Sequence, residues 1–371
     1  MYLPGAAIDV IKIFILGVLS FGFAFWMAPI LIRSLHKHKL WRKEVREKSI
    51  DGKDLTYFQM FHQEGETKIP RFGGLLIWIS PLILVFIFWF LSQTGIDWFE
   101  QMNFLSQKQT WLLFFALIVA AFLGLADDIL QVTGRGKYIA GGLKLPTRIW
   151  VVAAIGIVGG WWFFFKLQRF SIFIPGAEDF NIINFFGIEE YSGFLYFVVG
   201  LLYILFFVLV VLATYSGGVI DGLDGLSGGA FAIIFGAYAI IALVVGQIDT
   251  AAFCTTIVGA LLAFLWFNIP PARFYMGETG IMALTASLAV VAFLTDSVFV
   301  LPIIAILLVL ESGSVILQLL SKKFRGKKIF LAAPLHHHFE AKGWPHYKVT
   351  MRFWVIGIIA AIIGVTIRLW G

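Results

Sequence analysis

Three consecutive histidines are the most unusual group of side chains in this sequence. His336, His337 and His338 lie between two long apolar segments, where ionisable residues are costly enough to be functional candidates. Imidazoles can bind a transition metal, donate hydrogen bonds to phosphate, or order a loop. The single cysteine, Cys254, lies within an apolar segment, so disulfides and cysteine-based metal sites are excluded. The choice among the three roles depends on what surrounds the histidines.

Two adjacent carboxylates form a second candidate group. Asp127 and Asp128 follow an apolar stretch of helix length. Such a pair can bind Mg²⁺, which prefers oxygen ligands, or one carboxylate can act as a base while the other organises charge. The alternative is a pair of solvated acids that marks a helix end. The pair alone does not separate these interpretations.

A glycine-rich segment, residues 216–229, indicates phosphate binding. Its six glycines allow backbone amides to approach a ligand closely, and an apolar stretch follows it. At its centre lie Asp221, Gly222, Leu223 and Asp224. Two carboxylates in a phosphate-binding loop are expected mainly where a divalent cation is also bound. A flexible turn with an aspartate cap is the alternative, but a cap requires neither two acids nor six glycines.

A fourth group lies in residues 268–280, again between two apolar segments. It contains the amide of Asn268, the cation of Arg273, the ring of Tyr275 and the carboxylate of Glu278. The alternative is a loop broken by prolines, in which the arginine serves only as a basic anchor at the membrane surface.

The elements that must position these groups are transmembrane helices. Hydrophobic residues make up 60% of the sequence and charged residues only 13%, which excludes an ordinary soluble domain. Ten apolar segments have about the length of a spanning helix. They lie at residues 6–32, 73–91, 110–126, 148–165, 192–213, 230–247, 251–267, 281–295, 298–320 and 352–370. We therefore predict an all-α polytopic membrane protein with about ten helices, forming one integral membrane domain over residues 1–371.

The distribution of basic residues predicts the orientation. Of the 28 Lys and Arg residues, 22 lie in the segments 33–72, 127–148, 268–280 and 321–351. By the positive-inside rule these segments are cytoplasmic, and both termini lie outside. The stretch 33–70 is either an amphipathic interfacial helix or a solvated loop. All four candidate groups fall on the cytoplasmic face, whereas a proton-coupled transporter should place acids near mid-membrane. This favours an interfacial enzyme with one water-soluble and one lipid-borne substrate.

These residues resemble the motifs of the phospho-N-acetylmuramoyl-pentapeptide transferases, within the wider family of polyprenyl-phosphate N-acetylhexosamine-1-phosphate transferases. The likeness spans nearly the whole chain and is strongest from Glu311 to Trp354. There, Pro-Leu-His-His-His-Phe-Glu-Ala-Lys-Gly-Trp looks like the family's C-terminal signature, which separates this branch from relatives that use other sugars. The other motifs appear in the family's order, as Asp127-Asp128, Asp-Gly-Leu-Asp-Gly-Leu at 221–226, and Asn268, Pro271-Ala272 and Met276-Gly277.

The resemblance implies an enzyme of the bacterial inner membrane that uses Mg²⁺ at a cytoplasmic active site. It implies transfer of phospho-MurNAc-pentapeptide from UDP-MurNAc-pentapeptide to undecaprenyl phosphate, which gives lipid I and UMP. It also implies a homodimer and no nucleic-acid partner. The catalytic residues that it implies are Asp127, Asp128 and Glu278, and the metal ligands are Asp221 and Glu278. The further substrate-binding residues that it implies are Lys144, Gly222, Leu223, Asp224, Asn268, Tyr275 (stacked on uracil), His336, His337 and His338. Lys68 and Arg71 are added as substrate-binding candidates, because either could replace the charge of a lysine that the family has at position 66.

Four positions depart from the family's pattern. Glu278 replaces an aspartate, and its extra methylene moves the carboxylate by about a bond length, a shift that matters in catalysis. Gly218 replaces an asparagine, Gln131 replaces a lysine, and Glu66 stands where a lysine is expected. Two other functions stay open. The first is the same transfer from UDP-GlcNAc or a similar donor, as the wider family performs, although the histidine motif argues against it. The second is a non-catalytic homologue that binds lipid phosphate or a partner protein, and the departures at Glu278, Gly218 and Gln131 are its only support.

The mechanism is open between a single displacement and a two-step route through an aspartyl-phosphate. Because Mg²⁺ and phosphate are the expected ligands, we expect His336, His337 and His338 to donate hydrogen bonds to phosphate or sugar oxygens. We also expect them to order the loop 321–351 over the site.

Overall fold

The chain is almost entirely helical throughout the part that the structure describes. The computed structural model describes residues 5–43, 67–136, 141–176, 180–188 and 193–370. The helices are α1 (Gly5–Lys37), α2 (Gly74–Ser92), α3 (Asp97–Met102), α4 (Lys108–Thr133), α5 (Leu145–Trp161), α6 (Ile182–Phe185), α7 (Phe194–Ser216), α8 (Leu226–Val244), α9 (Ile248–Asn268), α10 (Gly277–Leu294), α11 (Leu301–Ile304), α12 (Ile306–Arg325), α13 (Leu335–Ala341) and α14 (His346–Trp370). A π-turn (Trp162–Lys166) continues α5, and a 3₁₀ turn (Gly217–Ile220) continues α7. The strands β1 (Ser171–Ile172) and β2 (Phe180–Asn181) form a small antiparallel hairpin.

The prediction of an all-α polytopic membrane protein is confirmed. Nine helices in the described ranges are long and apolar enough to cross a membrane, and they match nine of the ten predicted segments. The tenth segment, 298–320, is divided at Ala305 into α11 and α12. The last turn of α12 is basic, so this helix lacks the uniform apolar character of the others. The orientation in the membrane stays a prediction, and residues 44–66, which include Glu66 and most of the stretch 33–70, lie outside the described residues.

Helix α10 is the centre of the bundle. Every residue in it except Glu278 is buried, as expected of a helix that is apolar on all sides. Glycines allow neighbouring helices to approach its first turns: a Cβ on Gly124 of α4 would lie 2.6 Å from Cα of Thr279. Gly74, at the start of α2, packs in the same way against Gly280. The end of α4, which carries both adjacent aspartates, is therefore held against the start of α10.

The glycine-rich segment lies between α12 and α14. Leu308 of α12 packs on Gly217, and the indole of Trp354 of α14 packs directly on Gly229. Side chains larger than hydrogen do not fit at these positions without movement of the neighbours. The segment is therefore enclosed by the C-terminal third of the chain.

A buried ion pair explains the one lysine within the first predicted span. Lys12 lies with Nζ 3.2 Å from Oδ1 of Asp249, and it also donates to the carbonyl of Asn103 at 2.9 Å. Ser106 donates a hydrogen bond of 2.5 Å to the other oxygen of Asp249. This cluster joins α1 to α9 at the end of the bundle opposite the four candidate groups, and it balances the lysine charge locally.

Candidate active site

Asp128 caps the first turn of the central helix. Its carboxylate accepts hydrogen bonds from the backbone N–H of Glu278 at 3.1 Å and of Thr279 at 3.0 Å. Gly277, where the helix begins, has φ +74°, a conformation that favours glycine, and a Cβ there would lie 2.5 Å from the same carboxylate. Arg71 completes the arrangement, with Nε 3.4 Å from Oδ1 of Asp128. An anion at a helix N-terminus is favourable, so this aspartate holds Glu278 in a defined place.

Asp127 is buried among donors from its own helix, from the segment that precedes α5 and from α5 itself. It accepts hydrogen bonds of 2.5 Å from the side chain of Gln131 and from the backbone N–H of Leu143. The guanidinium of Arg148 lies 2.8 Å from its Oδ1, and the same guanidinium reaches Oε1 of Glu278 at 3.0 Å. Arg148 therefore joins two carboxylates that lie far apart in the sequence.

Arg148 is the main site residue that the sequence reasoning missed. It stands at the start of a predicted span, where it counted only as a basic residue for the topology. The resemblance pointed instead to Lys144, which the structure leaves exposed at the residue preceding α5. The spacing of four residues between them is one helical turn and could have identified Arg148 as a second candidate.

Asp221 lies at the end of the 3₁₀ turn, inside the glycine-rich segment. It accepts a hydrogen bond of 2.7 Å from Ser227. Desolvation by burial raises the pKa of its carboxyl, and the negative charges of Glu278 and Asp224 raise that pKa further. The bond from Ser227 and the charge of Arg71 act in the opposite direction. The aspartates of the glycine-rich segment and Glu278 therefore share one electrostatic environment.

Backbone and amide hydrogen bonds connect the segments around this site. Gly73 donates to the carbonyl of Tyr275 at 2.8 Å, and the N–H of Tyr275 donates to the carbonyl of Pro70 at 2.8 Å. Buried Asn268 accepts from the N–H of Gly225 and donates to the carbonyl of Phe274, both at 2.9 Å. The ring of Tyr275 is half-buried at the edge of the site. The amide of Asn268 thus connects the glycine-rich segment to the loop that contains Phe274. A contact between Asn268 and substrate remains an untested prediction.

The three histidines lie on the short helix α13, within what the sequence suggested to be a loop. Buried His336 places Nδ1 2.9 Å from Glu311 of α12, and its backbone N–H donates to the same carboxylate at 3.2 Å. His337 places Nδ1 2.5 Å from Glu340. His338 accepts a hydrogen bond of 3.1 Å from the N–H of Leu331.

Each histidine faces a different neighbour. The Nε2 atom of His336 packs against Gly222 of the glycine-rich segment and has no hydrogen-bond partner in the described part of the chain. Burial lowers the pKa of His338, and the positive charge of Lys342 lowers that pKa further, which favours the neutral ring that accepts from Leu331. In this arrangement the ring of His336 packs against the glycine-rich segment at Gly222. The expected hydrogen bonds of the three histidines to phosphate or sugar oxygens remain untested predictions.

The structure brings most of the predicted site residues together at one end of the bundle. Asp127, Asp128 and Glu278 are joined through Arg148 and the start of α10, and Asp221 lies within electrostatic reach of Glu278. The exposed Lys68 and Lys144 lie at the periphery. The remaining predicted residues belong to the glycine-rich segment or to the elements that brace it. They are Gly222, Leu223, Asp224, Asn268, Tyr275, His336, His337 and His338.

Asp221 and Glu278 have the donor chemistry for a magnesium site. One oxygen of each carboxylate is engaged, with Ser227 and Arg148 respectively, and the other accepts no hydrogen bond from the described residues. The described ranges hold no cluster of three or more His, Cys, Asp or Glu side chains arranged for a metal. Because Mg²⁺ usually takes one or two carboxylates, several waters and substrate phosphates, two available carboxylate oxygens fit this ion.

Comparison with known proteins places this site in a family. The sequence profile of glycosyl transferase family 4 matches residues 110–296, which contain both adjacent aspartates, the glycine-rich segment and Glu278. Relatives named phospho-N-acetylmuramoyl-pentapeptide-transferase are similar over nearly the whole chain. The protein from Geobacillus sp. is 33% identical over 95% of this chain and 97% of its own. Those from Shouchella clausii (36% identical, 95% and 96% covered) and Oceanobacillus iheyensis (33% identical, 99% and 99% covered) match similarly. The chain therefore belongs to the phospho-N-acetylmuramoyl-pentapeptide-transferase family, which makes it a multi-pass membrane protein and a phospho-sugar transferase.

Proposed function

We propose that this protein transfers phospho-MurNAc-pentapeptide from UDP-MurNAc-pentapeptide to undecaprenyl phosphate, with Mg²⁺ as cofactor, giving lipid I and UMP. The observation that carries the proposal is the convergence on Glu278: Asp128 holds its backbone, Arg148 pairs with its side chain, and Asp221 lies within electrostatic reach. The proposed location is the bacterial inner membrane, with the site on the cytoplasmic face where the water-soluble donor is available.

The reaction joins an oxygen of the lipid phosphate to the β-phosphorus of the donor. The bond between that phosphorus and the bridging oxygen breaks, and UMP leaves with the bridging oxygen. Such a transfer needs alignment and charge neutralisation more than covalent chemistry from the protein. Bound Mg²⁺ supplies neutralisation of the pyrophosphate charge, and Asp221 and Glu278 are the residues that would hold it.

The protein's own side chains account for the remaining binding steps. The glycine-rich segment offers backbone N–H groups to the diphosphate, and Tyr275 offers a half-buried ring to uracil. Arg71 and Arg148 place two cations at the site, and both are already oriented by carboxylates. Oriented cations stabilise the negative charge that develops during transfer without further reorganisation.

For Asp127 and Asp128 the contacts support a positioning role. Both carboxylates are fully buried, and each is occupied by an arginine and by backbone N–H donors. Together they orient Arg148, Arg71 and the first turn of α10. Either aspartate must exchange these partners before it can accept a proton from the lipid phosphate or form an aspartyl-phosphate. The single displacement is therefore the simpler route for this geometry.

The test is release of UMP by the purified full-length protein in lipid nanodiscs that contain undecaprenyl phosphate. We expect release from UDP-MurNAc-pentapeptide, loss of release with EDTA, and recovery with Mg²⁺. The variant Glu278→Gln should lose at least about 100-fold in turnover. The matched control is Glu100→Gln, which removes an exposed acid at the opposite end of the bundle.

Other outcomes separate the competing functions. Release from UDP-GlcNAc alone would assign the protein to a branch with a different sugar. Binding of undecaprenyl phosphate without release from either donor would identify a non-catalytic homologue. Release that is insensitive to EDTA would refute the role of Mg²⁺.

A further inference from the structure

A buried arginine from outside the recognised motifs connects to the aspartate pair. Arg42, in the segment that follows α1, is only 3% exposed. Its Nε donates a hydrogen bond of 2.9 Å to Oε1 of Gln131, and its Nη2 donates to the same oxygen. Gln131, in the last turns of α4, is 4% exposed and donates from Nε2 to Oδ2 of Asp127 at 2.5 Å. The three side chains form one continuous buried chain of hydrogen bonds.

The chemistry of the three groups determines the direction of this chain. A guanidinium can only donate hydrogen bonds, and an ionised carboxylate can only accept them. The amide of Gln131 has one acceptor and one donor end, so it fits between Arg42 and Asp127 in a single orientation. A glutamate at position 131 would set two carboxylates against each other. A lysine there would face Arg42.

The effect of this chain extends to Glu278. Asp127 holds Arg148 at 2.8 Å, and Arg148 in turn holds Glu278 at 3.0 Å. Without Arg42, Oε1 of Gln131 would lose its Nε and Nη2 donors, and among the described residues the buried amide would be held only through its hydrogen bond to Asp127. Buried polar networks of this kind are sensitive to the loss of one member, because little water is present to replace it.

We propose that Arg42 is a positioning residue, which acts through Gln131 and Asp127 to hold Arg148 on Glu278. The proposal rests on the proposed transferase function for its activity readout. It assigns a role to the segment after α1, residues 38–43, which carries none of the family motifs singled out in the sequence. It also accounts for Gln131 at a position where a lysine was expected. Arg42 supplies the positive charge, and the amide of Gln131 links it to Asp127 through two hydrogen bonds.

The experiment compares single variants with a rescue. Arg42→Met and the near-isosteric Gln131→Glu should each lower UMP release about tenfold or more, the order expected for loss of a buried charge-assisted hydrogen bond. The double variant Arg42→Met/Gln131→Lys should recover to within about threefold of the parent protein, since the lysine ammonium can donate directly to Asp127. Lys43→Met is the matched control, because it removes the adjacent exposed cation. A merely structural role for Arg42 does not predict rescue by a lysine at position 131 of α4.

The outcomes are decisive in each direction. Turnover by Arg42→Met equal to that of Lys43→Met would overturn the proposal, as would a folded double variant no more active than Arg42→Met. Where Arg42→Met does not fold, Gln131→Met removes the amide that links Arg42 to Asp127 and should lower UMP release by the same factor.

A second readout is independent of transferase activity. If the parent protein releases no UMP, the proposed function fails, and the connection is judged by thermal unfolding of Arg42→Met, Gln131→Met and the combined variant Arg42→Met/Gln131→Met. Midpoint shifts that differ from additivity by about 2 °C or more support the connection, and additive shifts refute it.

Discussion

Arg148 and Glu278 form an ion pair, with Nη1 of the arginine 3.0 Å from Oε1 of the glutamate, although 130 positions separate them in the sequence. The glutamate stands where an aspartate was expected from the family pattern. Its longer side chain reaches a guanidinium that Asp127 already orients. The departure at position 278 therefore has a partner that accommodates it.

Replacing Arg148 with methionine should lower turnover about 100-fold, because it releases Asp127 and Glu278 together and small displacements of site groups are costly. UMP release at saturating donor measures the effect, with thermal unfolding to verify the fold. Arg135→Met, which removes an exposed cation after α4, should change turnover little. A loss in Arg148→Met no larger than in this control would contradict the bridging role.

Asp128→Asn should reduce both stability and turnover. One acceptor oxygen at the start of α10 becomes an amide NH₂, which faces an N–H donor or Arg71. We expect a loss of about 1–2 kcal/mol in the free energy of unfolding and of about 100-fold or more in UMP release. Denaturant titration and the UMP assay measure the two quantities. Asp97→Asn, in the exposed first turn of α3, is the control. Near-parental UMP release by Asp128→Asn would contradict the positioning role of Asp128.

Glu278→Asp tests whether the longer acid is adapted to this site. The shorter side chain withdraws its carboxylate from Arg148, so we expect the Mg²⁺ concentration for half-maximal activity to rise by about tenfold. A titration of UMP release with Mg²⁺ gives that value directly. An aspartate variant with an unchanged or lower requirement would show that the pair with Arg148 does not position the ligand.

Gly222→Ala should disturb the contact between the glycine-rich segment and α13. An added Cβ would clash with Nε2 of His336, which Glu311 holds in place. We expect lower turnover and a free energy of unfolding reduced by about 1–3 kcal/mol. Gly236→Ala in the middle of α8 is the matched control, because a Cβ there meets nothing within 4 Å and alanine favours the helix. Equal stability of the two variants would contradict the predicted clash.

The pH dependence of stability should include a contribution from His338. Folding lowers the pKa of this histidine below its ordinary value of 6.5, so the unfolded chain binds the proton more readily than the folded protein. The unfolded chain then takes up more protons as the pH falls from about 6.5 through the folded-state pKa, and the protein loses stability over that range. His338→Asn keeps an acceptor for the N–H of Leu331 and does not titrate. The midpoint temperature of unfolding should therefore decline less in the variant than in the parent protein as the pH is lowered from 7 to 5. An equal decline would exclude His338 as a contributor to the pH dependence of stability.

Hydropathy and residue type were sufficient to predict the helices and most of the candidate site. Spans such as α7 and α9 follow from local composition, because an apolar run of about 20 residues can satisfy its backbone in a bilayer only as a helix. Asp127, Asp221 and Glu278 were identifiable because acids and glycines at the ends of such runs are rare and costly. These are properties of short segments, and they require no knowledge of what lies beside them.

The partners of those residues depended on packing between helices that are distant in sequence. The local sequence does not pair Arg148 with Asp127 and Glu278, and it does not connect Arg42 to Gln131 across 89 positions. The close approach of α4 to α10 at Gly124 selects the contacts of Asp128 with Glu278 and Thr279, because it places the end of α4 against the start of the most buried helix. Burial then makes each unpaired charge expensive, so that the ion pairs are decided by which helices meet.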